Sequence, residues 1–237
     1  MTILGIETAT PRLSVALFSE SPLFFEERAA DSQSSHCELI SGFIESLVEK
    51  AGITLGDLDG IAVSLGPGSF TGLRIGIASA MGLAYGLDIP ACGVSTLMGI
   101  AWLARLPGTL VCPLIDAKRG EVYTALYRLK PNAELPDTIK PPSAMSVQQL
   151  INALGRVDEP VTLTGPGAGL FGPAICDSLG SSVITLAEHT EPSARAIATL
   201  GFTLIKAGQA GHPTALRPVY LRRSDAEIAR DSRCTRP

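Results

Sequence analysis

The stretch IAVSLGPGSFTGLRIGIASAMGLAYGLDIPACGVST, residues 61–96, decides the fold because a strand, a glycine turn, a helix and a second strand follow one another without a break. Residues 61–65 are an apolar run, typical of a strand buried on both faces of a sheet. The Gly-Pro-Gly turn at 66–68 ends it, and Ser69 or Thr71 can cap the helix that follows. A strand, a crossover helix and a strand in series predict parallel pairing and an α/β fold.

The predicted helix, residues 71–87, carries small residues four apart at Gly72, Gly76, Ala80 and Ala84. Residues at this spacing share one helix face, so another backbone can approach closely there. Two interpretations are open: the stripe packs on the sheet of its own chain, or it forms a protein interface. Both can hold for different faces, because the apolar residues of the helix spread wider than one contact needs.

Composition indicates a compact protein of one large or two modest domains, with 237 residues, 46% hydrophobic and 18% charged. No apolar run approaches the length of a membrane span, and residues 1–10 lack the features of a signal peptide. We therefore expect a cytoplasmic protein without a membrane contact. The net charge of -4 argues against a broad nucleic-acid surface.

The C-terminal end departs from this acidic balance, since residues 217–237 hold six arginines and three acids. A solvated terminus is one interpretation, and a contact with RNA or an acidic partner is the other. The five cysteines, at positions 37, 92, 112, 176 and 234, show no short pair spacing. They are expected to be reduced thiols that fill the core.

Taken in order, the chain reads as two lobes on one plan, residues 1–106 and 107–237. The first lobe begins with three strands in an antiparallel meander, followed by an amphipathic helix with capping-box residues Ser35 and Glu38. The second begins with two strands around residues 116–120 and continues through a proline-rich loop, residues 131–142, that need not have one conformation. Its later predicted elements are a helix capped by Ser146, strands at 161–164 and 183–186, a glycine turn at 165–169, and a helix from Ser193 to Ala207.

Motifs for autonomous chemistry are missing. The turn at residues 66–72 has neither the spacing of a dinucleotide fingerprint nor the Gly-Lys-Ser/Thr of a P-loop, so it is interpreted as structural. Ser95 lacks the second glycine of a nucleophile elbow. His36, His189 and His212 stand far apart in sequence, and no metal motif is found.

Five segments carry a family resemblance: ILGIETAT, LDGIAVSLGPGSFTGLRIGIASAMGLAYGL, IPACGVSTL, IDAKRGEVY and RPVYLR. Over residues 1–222 the chain resembles the TsaB family, the dimerisation subunit of the bacterial tRNA threonylcarbamoyladenosine synthase. The resemblance implies the two-lobed actin-like ATPase fold of actin, heat-shock chaperones and sugar kinases, with degenerate nucleotide motifs.

The resemblance also implies a function. It is that of a non-catalytic subunit needed to transfer threonylcarbamoyl to N6 of the adenosine beside the anticodon, in tRNAs that read codons beginning with A. The implied partners are a metal-binding catalytic sister (TsaD-like), a small ATPase (TsaE-like), a second copy when the chain is alone, and tRNA through the complex.

Where the sister carries Asn-His-x-x-x-His, this chain has Ser95, Thr96 and Ile100, which cannot replace two imidazoles on one helix face. Glu7 stands where an aspartate is usual in the first phosphate loop, and Pro166 interrupts the glycine run of the adenosine loop. These departures imply that the chain has no cofactor of its own. The alternative is that ATP or ADP binds at the interface that the chain shares with its partners in the complex. Weak nucleotide contact is expected from Thr8, Thr10, Gly165, Gly167 and Gly169.

The resemblance places the dimer surface on the first lobe, on the helix from Ser35 to Ala51 and the helix at 71–87. The expected partner-binding residues are Leu39, Phe43, Gly72, Leu73, Gly76, Ile77, Ala80, Met81 and Ala84. The alternative function is an autonomous glycoprotease-like hydrolase or ATPase of the same fold. Missing paired histidines, a missing serine elbow and an incomplete phosphate set favour the non-catalytic subunit.

Overall fold

The computed structural model of the chain describes residues 1–31, 36–104, 106, 108–131, 133–180, 184–186 and 190–222. Several predicted features lie outside these residues: the cap at Ser35, residue 183 of a strand, His189, Cys234 and the arginine-rich tail beyond Arg222. The side chains of His36 and Cys37 also lie outside the described part.

The first lobe is built on a five-stranded sheet of order β3-β2-β1-β4-β5. Its strands are β1 (Thr2–Glu7), β2 (Arg12–Glu20), β3 (Leu23–Asp31), β4 (Gly60–Gly66) and β5 (Ala91–Ser95). β1, β2 and β3 pair antiparallel, whereas β1 pairs with β4 and β4 with β5 in parallel. The predicted meander and the predicted parallel crossover are both confirmed.

Two helices cover one face of this sheet, α1 (His36–Ala51) and α2 (Phe70–Leu87). Ser69 is the N-cap of α2, because its side chain accepts a hydrogen bond from the amide of Gly72 at 3.2 Å. Asp88, at φ 54°, ends the helix in a left-handed conformation, before Pro90. Buried residues of α1, α2 and the sheet form one core, which includes Leu4, Leu47 and Leu73.

The second lobe repeats the plan with the sheet order β10-β9-β6-β7-β8. Its strands are β6 (Leu110–Lys118), β7 (Glu121–Arg128), β8 (Asp137–Ser146), β9 (Val161–Thr164) and β10 (Ile184–Leu186). Its helices are α4 (Val147–Leu154) and α5 (Ala168–Leu179). Since both lobes run three strands, helix, strand, helix, strand with equivalent pairing, the predicted duplication is confirmed.

The proline-rich segment at residues 131–142, predicted as a loop, contains the first six residues of β8, 137–142. Pro141 and Pro142 lack the amide that a ladder needs, but an edge strand tolerates them. β8 lies at the edge of the sheet, and its pairing with β7 shifts register between Thr124 and Leu126, opposite the prolines. The sequence therefore contains a strand where proline content indicated irregular structure.

The last helix of each half packs on the sheet of the other half. α3 (Thr96–Ala104) places Leu97 and Ile100 in a core with Val111 and Ile115 of β6. α6 (Ala194–Lys206) lies on the first sheet. A Cβ built at Gly5 would lie less than 3.0 Å from backbone atoms of α6, so the glycine permits this close packing. The division predicted at residues 106 and 107 separates the two sheets but does not separate the two packed cores, because α3 and α6 are exchanged.

Candidate partner surface and interlobe cleft

The small residues predicted as a stripe on α2 face the chain's own first lobe, and we call Gly72, Gly76, Ala80 and Ala84 the inner row. All four are buried. A Cβ at Gly72 would lie less than 3.0 Å from the carbonyl oxygen of Thr8, and one at Gly76 less than 3.0 Å from the Thr8 hydroxyl. The inner row therefore makes room for the loop between β1 and β2.

The turn before α2 holds the same loop. The amide of Ser69 donates to the carbonyl oxygen of Ala9 at 2.7 Å. A Cβ at Gly68 would also lie less than 3.0 Å from that oxygen. Close contact at three glycines, with backbone at Gly68 and Gly72 and with the Thr8 side chain at Gly76, thus joins α2 and its preceding turn to the loop that leaves β1. The first interpretation of the stripe, close packing on its own lobe, applies.

A second row of small residues lies two positions after the inner row along α2. It consists of Ala78, Gly82 and Gly86, and we call it the outer row. At 100° per residue it points away from the inner row. All three are exposed, and among the described residues no atom lies within 4 Å of a Cβ built at Gly82 or Gly86. Gly42, exposed on α1, is equally open.

Large apolar side chains are exposed at both ends of α2. Phe70 is 36% exposed at its start and Tyr85 is 68% exposed near its end. Val219 and Tyr220 are also exposed, and the Tyr220 ring stacks on Phe70 with centroids 4.9 Å apart. By length and composition alone α2 could cross a membrane. This corrects the expectation that no apolar run approaches the length of a membrane span. A third of the residues of α2 are buried in the chain.

Of the nine residues expected to bind a partner, six are buried in the chain's own first lobe: Gly72, Leu73, Gly76, Ile77, Ala80 and Ala84. Leu39, Phe43 and Met81 are partly buried and pack against the first-lobe core. Of the nine, these three retain the most exposed surface. Periodicity in the sequence located the helix faces but did not show which face meets the sheet.

A cavity of about 900 Å³ lies between the lobes. The β1–β2 loop lines one side, with Thr10 and Arg12, and the β6–β7 hairpin lines the other, with Asp116 and Lys118. Its charged groups are paired: Arg12 contacts Asp31 at 3.4 Å, and Lys118 contacts Asp116 at 2.9 Å. No sequence motif predicts these four residues as a site, although Asp116 and Lys118 belong to the IDAKRGEVY segment.

The residues expected to contact a nucleotide do not meet in this cavity. Thr10 lines it, but Thr8 is fully buried beneath α2. Gly165 and Gly167 pack on the backbone of Leu114. Gly169 is exposed, with no atom within 4 Å of a Cβ at its position. Pro166 lines the cavity at the point where the fold would need a flexible glycine run.

Glu7 is sealed inside the first lobe, with 1% of its surface exposed. Its Oε1 accepts hydrogen bonds from the amide of Ala9 at 2.6 Å and from the Ser64 hydroxyl at 3.0 Å, while Oε2 has no partner. Burial raises the pKa of this carboxyl from 4.5 to about 7, and the bonds from Ala9 and Ser64 oppose the rise. The group is thus occupied by its own loop and does not line the cleft.

The positions that correspond to the sister's histidines are part of the packed interior. Thr96 is 1% exposed, with a hydroxyl that has no partner, and Ile100 is fully buried. Ser95 accepts a hydrogen bond from the amide of Met98 at 3.4 Å, as a helix cap does. His212 bonds to the Thr214 hydroxyl at 2.7 Å. Among the described residues, no three His, Cys, Asp or Glu side chains cluster as a metal site would need.

Comparison with known proteins places this arrangement in one class. Residues 30–230 match the family described as TsaD: tRNA N6-adenosine threonylcarbamoyltransferase. The fold is that of the actin-like ATPases. It resembles EutJ from Carboxydothermus hydrogenoformans (TM-score 0.52, 11% identity, 86% of this chain and 90% of that one). It also resembles a ROK family protein from Streptococcus pneumoniae (TM-score 0.50, 12% identity, 88% and 100%). At these identities the likeness concerns the fold alone.

Curated relatives narrow the class. The chain is 34% identical to the tRNA threonylcarbamoyladenosine biosynthesis protein TsaB of Bacillus subtilis, over 96% of each chain. It is 32% identical to the protein of that name in Escherichia coli, over 81% of this chain and 93% of the relative. YeaZ from Pseudomonas aeruginosa is similar in structure, with a TM-score of 0.77 at 27% identity, covering 93% of this chain and 99% of that one. The chain belongs to the TsaB family.

Proposed function

We propose that this chain acts in tRNA threonylcarbamoyladenosine biosynthesis as a non-catalytic subunit, which docks on a TsaD-like catalytic sister and activates it. Family membership supports the pathway. The observation that carries the non-catalytic role is the burial of Thr96 and Ile100, at 1% and 0% exposure, where the sister is expected to hold its metal. A buried isoleucine has no lone pair to offer a metal. Helix α3, which carries both residues, packs against β6.

The outer row of α2 is the proposed docking surface, together with the exposed side of α1. Small side chains let a partner helix approach closely, and the exposed rings of Phe70 and Tyr85 supply apolar area at either end. An apolar helix with only a third of its residues buried leaves a face that a partner can cover. The same surface serves the sister in the complex and a second copy when the chain is alone.

The other partners follow from the family resemblance. A small TsaE-like ATPase joins the complex, tRNA is reached through the complex, and the protein works in the cytoplasm without a membrane contact. The chain has no cofactor of its own. ATP or ADP is held only at an interface that partners complete, since the cleft of this chain is lined by paired charges and by Pro166.

The alternative is an autonomous hydrolase or ATPase of the same fold. It would need a general base or a phosphate-binding carboxylate open to the cleft. Glu7 is the candidate by position, but both of its hydrogen bonds are to its own lobe and its side chain is sealed from solvent. This arrangement supports the non-catalytic role.

Reconstitution tests the proposal. The purified chain, the sister and the small ATPase are mixed with unmodified tRNA and a threonylcarbamoyl donor, and the modified nucleoside is measured by chromatography after digestion. We expect no modification from this chain alone and modification that requires it when the sister is present. Modified nucleoside formed by this chain without the sister would overturn the non-catalytic role, and full modification by the sister without this chain would overturn the activating role.

A further inference from the structure

Near the end of its described part the chain crosses between the lobes once more, along residues 216–222, which we call the strap. Leu216, 6% exposed, belongs to the first-lobe core. Arg222 reaches the β6–β7 hairpin of the second lobe. Between these ends the strap lines a small cavity of about 200 Å³ with the turn at Pro67 and with Lys118.

The middle of the strap is fixed to the first lobe. The amide of Val219 donates to the carbonyl oxygen of Leu65, at the end of β4, at 2.7 Å. The Tyr220 ring stacks on Phe70, and the Tyr220 hydroxyl accepts a hydrogen bond from Nε of Arg74 at 3.1 Å. The Arg74 guanidinium lies over the Phe70 ring at 3.8 Å. This anchor therefore joins the strap to the first turns of α2.

The end of the strap is fixed to the second lobe. Nη1 of Arg222 donates to the carbonyl oxygen of Ala117 at 2.7 Å and lies 3.5 Å from the carboxylate of Glu121. The Arg222 side chain is 15% exposed, so water weakens these contacts little. The next residues of the hairpin, Lys118 and Arg119, are held in the left-handed region at φ 65° and 57°. Side chains rarely adopt this conformation, so the tip depends on the contacts that surround it.

We propose that the strap couples the two lobes, fixing the separation of the cleft and transmitting changes between the start of α2 and the β6–β7 hairpin. Only two residues lie between the anchors at Val219 and Arg222, and an extended chain reaches about 3.5 Å per residue. So short a segment has little slack to absorb movement of one lobe against the other. A change in the cleft must then either move α2 and the hairpin together or break one anchor.

Hydrogen exchange of the full chain, resolved by residue, tests the coupling from both ends. In Arg222→Ala the altered contacts are in the second lobe, and we expect the amide of Val219, bonded to the first lobe, to exchange at least tenfold faster. In Tyr220→Ala the altered contacts are in the first lobe, and we expect faster exchange at the hairpin amide of Lys118, which donates to Asp116 at 2.7 Å.

Arg12→Ala is the matched control. It removes a cation from the cleft, but its ion pair is with Asp31 of its own lobe. We expect no change in exchange at Val219 or at Lys118. If Arg222→Ala does not fold, Arg222→Lys takes its place. This variant keeps the positive charge but loses the planar guanidinium group, so we expect a smaller increase in exchange at Val219.

Exchange at Val219 that is unchanged in both Arg222 variants would overturn the coupling. So would exchange at Lys118 that is unchanged in Tyr220→Ala. The measurement needs neither the sister nor tRNA, so its outcome does not depend on the proposed role in tRNA modification.

Discussion

Helix α2 carries two rows of small residues that point in opposite directions. The inner row lies beneath the β1–β2 loop, where the backbone of Thr8 passes too close for any side chain at Gly72. The outer row faces open space, where a side chain at Gly82 would touch nothing within 4 Å. Both rows consist of glycine and alanine spaced four residues apart, and they differ by two positions in phase.

The comparison shows that one residue type can serve two purposes on one helix. Glycine in the inner row is required, because the first lobe cannot close around a larger residue. Glycine in the outer row is not required by this chain and lowers the helix propensity there. A small residue that costs stability and touches nothing in its own chain is consistent with the proposed docking surface.

The largest expected effect comes from a bulky charge in each row. Gly76→Arg places a cation against the buried Thr8 hydroxyl, and we expect a loss of more than about 4 kcal/mol, with the first lobe unfolded. Gly82→Arg should not destabilise the chain and should raise the free energy of unfolding by up to about 1 kcal/mol, because arginine favours a helix more than glycine does. Circular dichroism and urea unfolding measure both. A folded Gly76→Arg protein would show that the inner row does not pack as described.

The loop beneath the inner row contains a second test, through the pH dependence of stability. The folded state holds the Glu7 proton up to about pH 7, whereas an unfolded chain releases it near pH 4.5. Stability should therefore fall as pH rises from 4.5 to 7, by up to about 3 kcal/mol from this group, and level off above pH 7.

The matched variant for this test is Glu7→Gln, which keeps the oxygen that accepts from Ala9 and Ser64 and cannot ionise. Urea unfolding at pH 5 and pH 8 gives the loss for each protein. We expect a smaller loss in Glu7→Gln than in the native chain. Equal losses would mean that Glu7 titrates normally in the folded state.

Alanine substitutions should have smaller effects on stability, with opposite signs in the two rows. Gly72→Ala should destabilise the chain by about 1–3 kcal/mol, because its Cβ meets a backbone oxygen that cannot turn away. Gly82→Ala should stabilise it by about 0.5–1 kcal/mol, because alanine favours a helix and finds free space. Thermal unfolding of the two variants measures the difference. Changes of the same sign would contradict the assignment of the two faces.

Much of the fold could be predicted from residues 61–96, because a strand, a capped helix and a strand in series permit few arrangements. Two features could not be predicted. β8 contains Pro141 and Pro142, which normally argue against a strand, and only its edge position permits them. The packing of α3 and α6 on the sheet of the opposite half could not be predicted either. An apolar helix face in the sequence does not indicate which of two sheets the helix will cover.

The candidate site was predicted less well, for a related reason. Periodicity identified the inner row but gave no information about what lies on it, since the Thr8 loop is more than sixty residues away in sequence. The cleft charges Arg12, Asp31, Asp116 and Lys118 come from three strands, β2, β3 and β6, which only the folded chain brings together. The substitution of histidines by Thr96 and Ile100 was visible in the sequence, and the structure adds that both residues are buried.

The most direct test of the central claim is sister-dependent tRNA modification with Gly82→Arg and its matched control Ala174→Arg. Both are exposed helix residues, but Ala174 lies in α5 of the second lobe and belongs to no predicted site. We expect both proteins to fold. Gly82→Arg should bind the sister at least about thirtyfold more weakly, a loss of about 2 kcal/mol, and lower modification accordingly, while Ala174→Arg matches the native chain. Native binding and modification by Gly82→Arg would contradict the docking of the sister on the outer row.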